Sequence, residues 1–127
     1  MAAAGGDFKR SCAPNYAIPN GQLMTAECFT GTGKTYRTIL DLDHCMGNQG
    51  GFLVSKNDGA FSISCRECKR GKANGDDAWG MTMFNCYCEN GKGGSFFLSE
   101  IDLNNFIEND HGYLSCFGHR GGLIGQW

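Results

Sequence analysis

The stretch "LDLDHCMGNQGGFL", Leu40 to Leu53, decides the fold, because the chain repeats it as "IDLNNFIENDHGYL", Ile101 to Leu114. The two segments stand 61 residues apart and agree at five informative positions: Asp41/Asp102, Leu42/Leu103, Asn48/Asn109, Gly51/Gly112 and Leu53/Leu114. Self-similarity at a fixed spacing is the signature of a repeated structural unit. The sequence therefore predicts a domain that contains the same unit twice.

The repetition extends toward the N-terminus of each unit. "FKRSC", residues 8–12, matches "FSISC", residues 61–65, and "MTAEC" ending at Cys28 matches "FNCYC" ending at Cys88. The offset grows from 53 to 60 between these matches, which predicts an inserted loop within residues 66–80. We expect one domain over 1–127, with repeat one at about 8–56 and repeat two at about 61–117.

Each repeat has the pattern of a strand ending at its first cysteine, a second strand ending at its next cysteine, a glycine-rich turn and a third strand. A helical turn should follow at "DLDHCM" or "DLNNFIEN", with Asp102 as its cap and Asn109 near its left-handed end. A final strand led by glycine closes the unit. The run Gly-Thr-Gly-Lys-Thr at 31–35 resembles a phosphate-binding loop, but Cys28 stands where that loop needs its first glycine, so we assign the run to a hairpin turn.

Composition limits the class of protein. The 127 residues carry a net charge of −2 and no basic run, which argues against a nucleic-acid binder. Glycine is abundant at 20 residues against 2 prolines, as expected for many tight turns between short strands. Eight cysteines favour disulfides and hence a secreted or extracellular location, although "MAAAGGDF" does not have the pattern of a signal peptide.

These motifs together resemble the cyanovirin-N homology (CVNH) family of lectins. The resemblance rests on F-x-x-x-C, a hydrophobic strand ending in Cys, a Gly-rich hairpin, I/L-D-L-[DN] and N-x-x-G-x-L, each present twice between about Phe8 and Phe117. It implies a mostly β, pseudo-symmetric fold in which each half is a three-stranded antiparallel sheet plus a β-hairpin. Exchange between the repeats would build a terminal half from about 1–44 plus 107–127 and a central half from about 45–106.

The resemblance also implies a function. The family binds α1,2-linked mannose ends of high-mannose glycans, so the partners would be mannose-rich oligosaccharides and glycoproteins, with no nucleic acid, membrane, cofactor or catalysis. The protein would be mainly a monomer with a domain-swapped dimer as a minor form, and "SKNDG", Ser55 to Gly59, would be the hinge. A mannose pair is neutral and rich in hydroxyls, so short polar side chains on rigid turns suit it.

Two sets of candidate binding residues follow from the resemblance, position by position. In the terminal half they are Gly6, Asp7, Arg10, Ser11, Phe29, Thr30, Gly31, Asn109, Asp110 and His111. In the central half they are Asn48, Gln49, Gly50, Asn57, Asp58, Ser64, Glu89, Asn90, Gly91 and Lys92. Gly50 stands where the family has an aspartate and Ile63 replaces a polar residue, so we favour the terminal half, where Arg10 is larger than the usual glutamine.

The repeat restricts the cysteine pairing. Cys12–Cys28 and Cys65–Cys88 occupy equivalent places, and Cys68–Cys86 would close the inserted loop. Cys45 and Cys116 then pair by elimination only. An alternative is a zinc site formed by Cys65, Cys68, Cys86 and Cys88, within a protein-interaction module whose sugar sites have decayed and whose contacts are Trp79 and Trp127. The C-x-C half of that ligand set has poor geometry for zinc, so we expect no metal there.

Overall fold

The computed structural model describes residues 6–91 and 94–126, and within them no helix is long and apolar enough to cross a membrane. The strands are β1 (Leu23–Phe29), β2 (Thr35–Asp41), β3 (Met46–Gln49), β4 (Phe52–Ser55), β5 (Cys65–Arg70), β6 (Met83–Glu89), β7 (Phe96–Asp102), β8 (Glu108–Asp110), β9 (Tyr113–Cys116), β10 (His119–Arg120) and β11 (Gly122–Gln126). Short 3₁₀ turns occur at Phe8–Arg10, Leu42–His44, Phe61–Ile63 and Leu103–Asn105.

The strands form two similar sets of antiparallel sheets. The three-stranded sheet β1-β2-β11 has its counterpart in β5-β6-β7, and the hairpin β3-β4 has its counterpart in β8-β9, which β10 extends. The hairpin β3-β4 packs against β7, whereas β8-β9 packs against β2. We call β1, β2 and β8–β11 the terminal group and β3–β7 the central group. The predicted class, a mostly β and pseudo-symmetric tandem repeat, is confirmed.

Each repeat lends its final hairpin to the sheet of the other repeat. The Leu53 amide of repeat one donates to Ser99 Oγ of repeat two at 2.9 Å, and the Leu114 amide of repeat two donates to Thr38 Oγ1 of repeat one at 3.2 Å. All four residues are buried, so each bond satisfies a backbone group that water cannot reach. The hairpins are therefore exchanged reciprocally.

The fourth residue of the I/L-D-L-[DN] motif makes a second reciprocal link. Asp43 accepts a hydrogen bond from the Ser62 amide at 2.9 Å, and Asn104 accepts one from the Lys9 amide at 2.9 Å. Both bonds run from one repeat to the first 3₁₀ turn of the other. Aspartate and asparagine both suit this position, because each has a short side chain with an acceptor oxygen.

The helical turns are shorter than the sequence indicates. Asp41 and Asp102 do cap them, each accepting from the amide two residues ahead at 3.0 Å, but each turn is a single 3₁₀ turn of three residues. The prediction that Asn109 ends a helix was wrong, because Asn109 lies in β8 and the left-handed residue is His111, with φ of 53°.

The segments before the first cysteine of each repeat were also predicted wrongly as strands. Phe8–Arg10 and Phe61–Ile63 are 3₁₀ turns, each preceded by a left-handed residue, Asp7 at φ 71° and Ala60 at φ 53°. Phe8 and Phe61 are buried at the start of these turns and anchor them in the core. One apolar residue followed by polar residues is compatible both with a single buried turn and with a short strand, so the sequence pattern does not distinguish the two.

The hydrophobic core is built from repeat-equivalent pairs. The buried pairs are Phe8/Phe61, Met24/Phe84, Leu42/Leu103 and Leu53/Leu114. Full burial of such a side chain stabilises the fold by about 1.5–3 kcal/mol. The core therefore repeats the symmetry of the sequence.

The 66–80 insertion is partly strand and is docked against the segment that precedes β1. Its first residues belong to β5, and the guanidinium of Arg70, the last residue of β5, lies 4.5 Å from the ring centroid of Tyr16 and bonds to Asp77 at 3.0 Å. The Tyr16 hydroxyl donates to the Met81 carbonyl at 2.8 Å, and burial raises the pKa of Tyr16. Trp79 stays 80% exposed at the end of the insertion, and Trp127 lies outside the described residues.

All eight cysteines are joined in four disulfides, Cys12–Cys28, Cys45–Cys116, Cys65–Cys88 and Cys68–Cys86. These are the pairs that the repeat and the elimination argument predict. The alternative zinc site on four of these cysteines is inconsistent with this pairing, since a zinc ligand must be a thiolate. Cys45 immediately precedes β3 and Cys116 ends β9, so this bridge joins the central group to the terminal group.

We predict that the Cys45–Cys116 bridge stabilises the protein most. It closes 71 residues whereas Cys68–Cys86 closes 18, and loop-closure entropy gives about 4 kcal/mol against about 3 kcal/mol. Urea unfolding of C45A/C116A and C68A/C86A should show the larger loss of unfolding free energy in C45A/C116A. Mass spectrometry without reduction must show three remaining bridges in each. An equal or reversed order would contradict the entropic account.

Candidate functional site

Asn109 holds three separate segments of the chain together in the terminal group. Its Nδ2 donates to Ser11 Oγ at 2.9 Å and to the Phe29 carbonyl at 2.9 Å, while its Oδ1 accepts from the Gly112 amide at 2.7 Å. We call Ser11, the turn Phe29–Gly31 and residues 109–112 the terminal loop cluster. Because the side-chain amide of Asn109 is hydrogen-bonded within the protein, Asn109 holds this surface in shape and does not offer its amide hydrogens to a ligand.

Asn48 does the same in the central group. Its Nδ2 donates to Ser64 Oγ at 2.9 Å and to the Glu89 carbonyl at 2.8 Å, and its Oδ1 accepts from the Gly51 amide at 2.8 Å. Each contact has its repeat equivalent around Asn109. We call Ser64, residues 89–91 and residues 48–51 the central loop cluster. The two clusters thus share one construction.

An aromatic pair supports each cluster. A Cβ on Gly112, whose φ is +103°, would lie 2.7 Å from the Tyr36 ring, and Tyr36 packs edge to face on Tyr113 with centroids 5.5 Å apart. The equivalent Gly51, with φ of +102°, would meet the Phe97 ring at 2.6 Å. The conserved glycine positions of the two repeats are therefore explained by close approach to an aromatic ring as well as by φ.

The rim of the terminal loop cluster is polar. The Thr30 and Thr32 hydroxyls are hydrogen-bonded at 2.8 Å, and Asp110 bonds to the His111 ring at 2.9 Å and to Arg120 Nε at 3.1 Å. The hydrogen bond from His111, supported by the one from Arg120, holds the pKa of Asp110 below its usual value. Asp110 is therefore an ionised acceptor across the physiological pH range, and its charge is paired.

The remaining terminal candidates lie along the segment before Cys12. The Asp7 amide donates to the Asn104 carbonyl at 2.6 Å, with Gly6 preceding it, and Arg10 lies 3.7 Å from the Asp7 carboxylate. The Arg10 side chain is 83% exposed. An exposed pair at this distance is weak, so Arg10 is free to move toward or away from the cluster.

The central loop cluster borders an open cleft of about 270 Å³. The cleft is lined by Ser62, Ile63, Ser64, Cys65, Arg66, Glu89 and Phe96. Ile63 is 85% exposed and the Arg66 guanidinium covers the Phe96 ring at 3.9 Å from its centroid. Gln49 and Gly50 are exposed at the β3–β4 turn, and Asn90 and Gly91 lie in the β6–β7 turn.

Three central candidates are placed elsewhere or are not described. Asn57 and Asp58 have their side-chain bonds with His119 and His44, not with the central loop cluster. The repeat equivalent of Asp7 is Ala60, whose amide donates to the Asp43 carbonyl at 3.0 Å. Lys92 lies outside the described residues.

Sequence reasoning missed the aromatic supports and Arg120. Tyr36 and Tyr113 have Phe97 and Phe52 as their equivalents at the offset of 61, so comparison of the repeats could have indicated them. Arg120 lies 4.1 Å from the Tyr113 ring centroid, in a tail that the repeat does not cover. Its role follows only from the pairing of β10 with β9.

The described residues thus form a duplicated, disulfide-rich β-domain with two equivalent polar loop clusters. Among solved structures, the chain is similar to the CVNH protein of T. borchii, with 31% identity, a TM-score of 0.67 and coverage of 87% of this chain and 98% of that one. It is also similar to the CVNH protein of Gibberella zeae, with 24% identity, a TM-score of 0.73 and coverage of 88% and 98%. The structure of a complex of microvirin with mannobiose matches with 24% identity, a TM-score of 0.69 and coverage of 87% and 98%.

The family model of the CVNH domain matches residues 8–115. The chain belongs to the CVNH family. No curated protein sequence matches it significantly.

We predict that Asn48→Ala and Asn109→Ala destabilise the protein equally. Each change removes hydrogen bonds to two carbonyl or hydroxyl oxygens and one amide in partly buried surroundings, at a cost of about 2 kcal/mol. Urea unfolding of both variants should give losses that agree within about 0.5 kcal/mol. A loss confined to one variant would show that the two clusters are not constructed alike.

Proposed function

We propose that the protein is a carbohydrate-binding lectin that recognises α1,2-linked mannose ends of high-mannose glycans through the terminal loop cluster. Membership of the CVNH family supports the class of function. The complex of microvirin with mannobiose, on the same fold, supports the choice of sugar. Catalysis has no part in this proposal.

The observation that carries the proposal is the way Asn109 organises its cluster. The Asn109 side-chain amide makes its hydrogen bonds to Ser11, Phe29 and Gly112. These bonds fix the surface on which the Thr30 hydroxyl, the Asp110 carboxylate and the exposed turn around Gly31 lie. A neutral disaccharide is recognised by directional hydrogen bonds to such groups. Since the groups are already held in place, little ordering entropy opposes binding.

The side chains of the two clusters favour the terminal half as the binding site. The central loop cluster borders an open cleft, but Gln49 and Gly50 replace Asp110 and His111 there, and the wall of the cleft carries the apolar Ile63. Sugar selectivity comes from polar groups at defined positions. A sugar hydroxyl that finds no partner in the site loses the hydrogen bond that it made to water before binding. The terminal loop cluster offers the larger set of such groups.

The partners that follow are mannose-rich oligosaccharides and the glycoproteins that carry them. Four disulfides in a domain of this size are stable in an oxidising compartment, which supports a secreted or extracellular location.

We predict that N109A/D110A loses sugar binding whereas N48A/Q49A keeps it. The two variants change repeat-equivalent positions, and the loss of Asn48 or Asn109 removes the equivalent bonds in each cluster. Loss of the Asp110 acceptor and of the fixed cluster should cost about 2 kcal/mol, or roughly 30-fold in Kd. Titration of each variant with α1,2-mannobiose, followed by NMR of the backbone amides, measures this directly.

The opposite result, with binding lost only in N48A/Q49A, would move the site to the central cleft. Absence of binding to mannobiose and to every sugar of a glycan array in the wild-type protein would reject the lectin proposal. The alternative would then be a protein-interaction module, and the 80% exposed Trp79 on the docked insertion would be its first contact to test.

We also propose that the protein is mainly monomeric, with a domain-swapped dimer reached through Ser55–Gly59. This segment links β4 to the 3₁₀ turn at Phe61 and is held by the Lys56 amide on the Cys45 carbonyl at 2.9 Å. Removing two residues from it should prevent the chain from folding back and should raise the dimer fraction. Sedimentation that is unchanged across shortened and lengthened linkers would oppose this hinge.

A further inference from the structure

Three polar side chains from distant parts of the chain meet outside both loop clusters. His44 Nδ1 lies 2.7 Å from Asp58 Oδ1, and His119 Nε2 lies 3.2 Å from the same oxygen. The two imidazole rings are stacked, with centroids 4.4 Å apart and planes inclined by 24°. The nearest ligand-forming atoms of all three residues lie within 4.8 Å of one another. We call these residues the junction cluster.

The backbone beneath the junction cluster is fixed by covalent and hydrogen bonds. His44 is adjacent to Cys45, His119 pairs with Cys116 across β9 and β10, and these two cysteines form a disulfide. The Asp58 amide donates to the His44 carbonyl at 3.0 Å. The three side chains therefore project from positions that cannot separate while the fold is intact.

The side chains themselves are accessible from solvent. His44 is 46% exposed, Asp58 59% and His119 32%, so an ion can enter without any opening of the core. A further polar partner of the junction cluster is Asn57, whose Oδ1 accepts from His119 Nε2 at 2.7 Å. The hydrogen bond from His44 keeps the pKa of Asp58 below its usual value, so the cluster holds a carboxylate.

We propose that the junction cluster is a binding site for a divalent transition-metal ion of the zinc type, with His44 Nδ1, His119 Nε2 and Asp58 as its protein ligands. Two imidazoles and one carboxylate are ligands that Zn²⁺, Ni²⁺ and Cu²⁺ accept, whereas Ca²⁺ and Mg²⁺ prefer oxygen alone. Ligand atoms around tetrahedral zinc stand roughly 3.3 Å apart. The present separations to Asp58 are 2.7 and 3.2 Å, and the two exposed imidazoles would have to tilt out of their stacked arrangement so that the in-plane lone pair of each points to the ion.

On binding, the ion takes the place of the protons on the two ring nitrogens that face Asp58 and Asn57. In the present arrangement the ring N–H groups of His44 and His119 donate to Asp58 and Asn57. When the ion binds, each ring presents a lone pair at the same nitrogen, its proton moves to the other ring nitrogen or to solvent, and the acceptor oxygens turn to the ion. Asn57 Oδ1 then stands near enough to complete the shell, with water as the alternative fourth ligand.

The position of the site gives the ion a structural consequence. Asp58 belongs to the linker between β4 and the 3₁₀ turn at Phe61, whereas His119 belongs to β10 of the terminal group. The ion would tie the linker between the two repeats to the terminal group. This inference concerns other residues than the loop clusters, so it stands or falls independently of sugar binding.

The test is calorimetric titration of the full, oxidised protein with ZnCl₂ at pH 7.5, where the affinity of imidazole ligands is high. We expect one ion per chain, and a rise in Tm with added Zn²⁺ because the ion binds only the folded protein. His119→Gln should weaken Zn²⁺ binding at least about tenfold, and His44→Gln likewise. Histidine side-chain NMR should show shifts for His44 and His119 on addition of Zn²⁺.

The matched control is His111→Gln, since His111 also lies 2.9 Å from an aspartate, but that aspartate, Asp110, bonds to one imidazole and to Arg120 instead of to two imidazoles. Its Zn²⁺ affinity should stay within about twofold of the wild-type value, whatever the change does to sugar binding. Wild-type protein that takes up no Zn²⁺ at millimolar concentration would overturn the proposal. So would Zn²⁺ binding that survives unchanged in a folded His44→Gln/His119→Gln variant.

Discussion

The amide side chains of Asn48 and Asn109 impose the constraint on which the rest of the structure depends. Each belongs to one repeat and bonds to the first turn and the hairpin turn of the other, at 2.8–3.3 Å. Neither repeat can satisfy its own final hairpin, because the partners of that hairpin are in the other repeat. The two repeats must therefore fold as one unit, although each carries a complete set of motifs.

The same constraint creates the candidate binding surfaces. An asparagine that fastens three loops from two repeats places their exposed edges side by side, and duplication produces this surface twice. The supports have stayed similar, with Tyr36 on Tyr113 in one cluster and Phe97 on Phe52 in the other. The rims have diverged, because a residue that faces solvent can change at little cost to stability. Different rims on similar supports make the two candidate surfaces of one scaffold unequal.

The parts of the fold that the sequence predicts are those governed by local rules or by the repeat. The caps at Asp41 and Asp102 follow from short-range hydrogen bonding, and the repeat predicts equivalent roles for Asn48 and Asn109. The turns at Phe8 and Phe61 were misread, because a single buried aromatic residue before polar ones has no distinctive period. The internal use of the Asn109 amide could not be foreseen either, since it depends on a hydrogen bond to Ser11, 98 residues away.

The junction between the groups is the part of the molecule where the symmetry is broken. The offset of 61 residues relates Asp58 to His119, so the segments that follow the final strands of the two repeats meet each other there. The same offset relates Cys45 to Phe106 and Cys116 to Ser55, so a second bridge at the equivalent positions is replaced by a phenylalanine that is 2% exposed. One covalent link is enough to hold the groups together, and the equivalent position is then available to fill the core. Residues at this junction act on both groups at once, which is why one disulfide and one polar cluster there can restrain the whole domain.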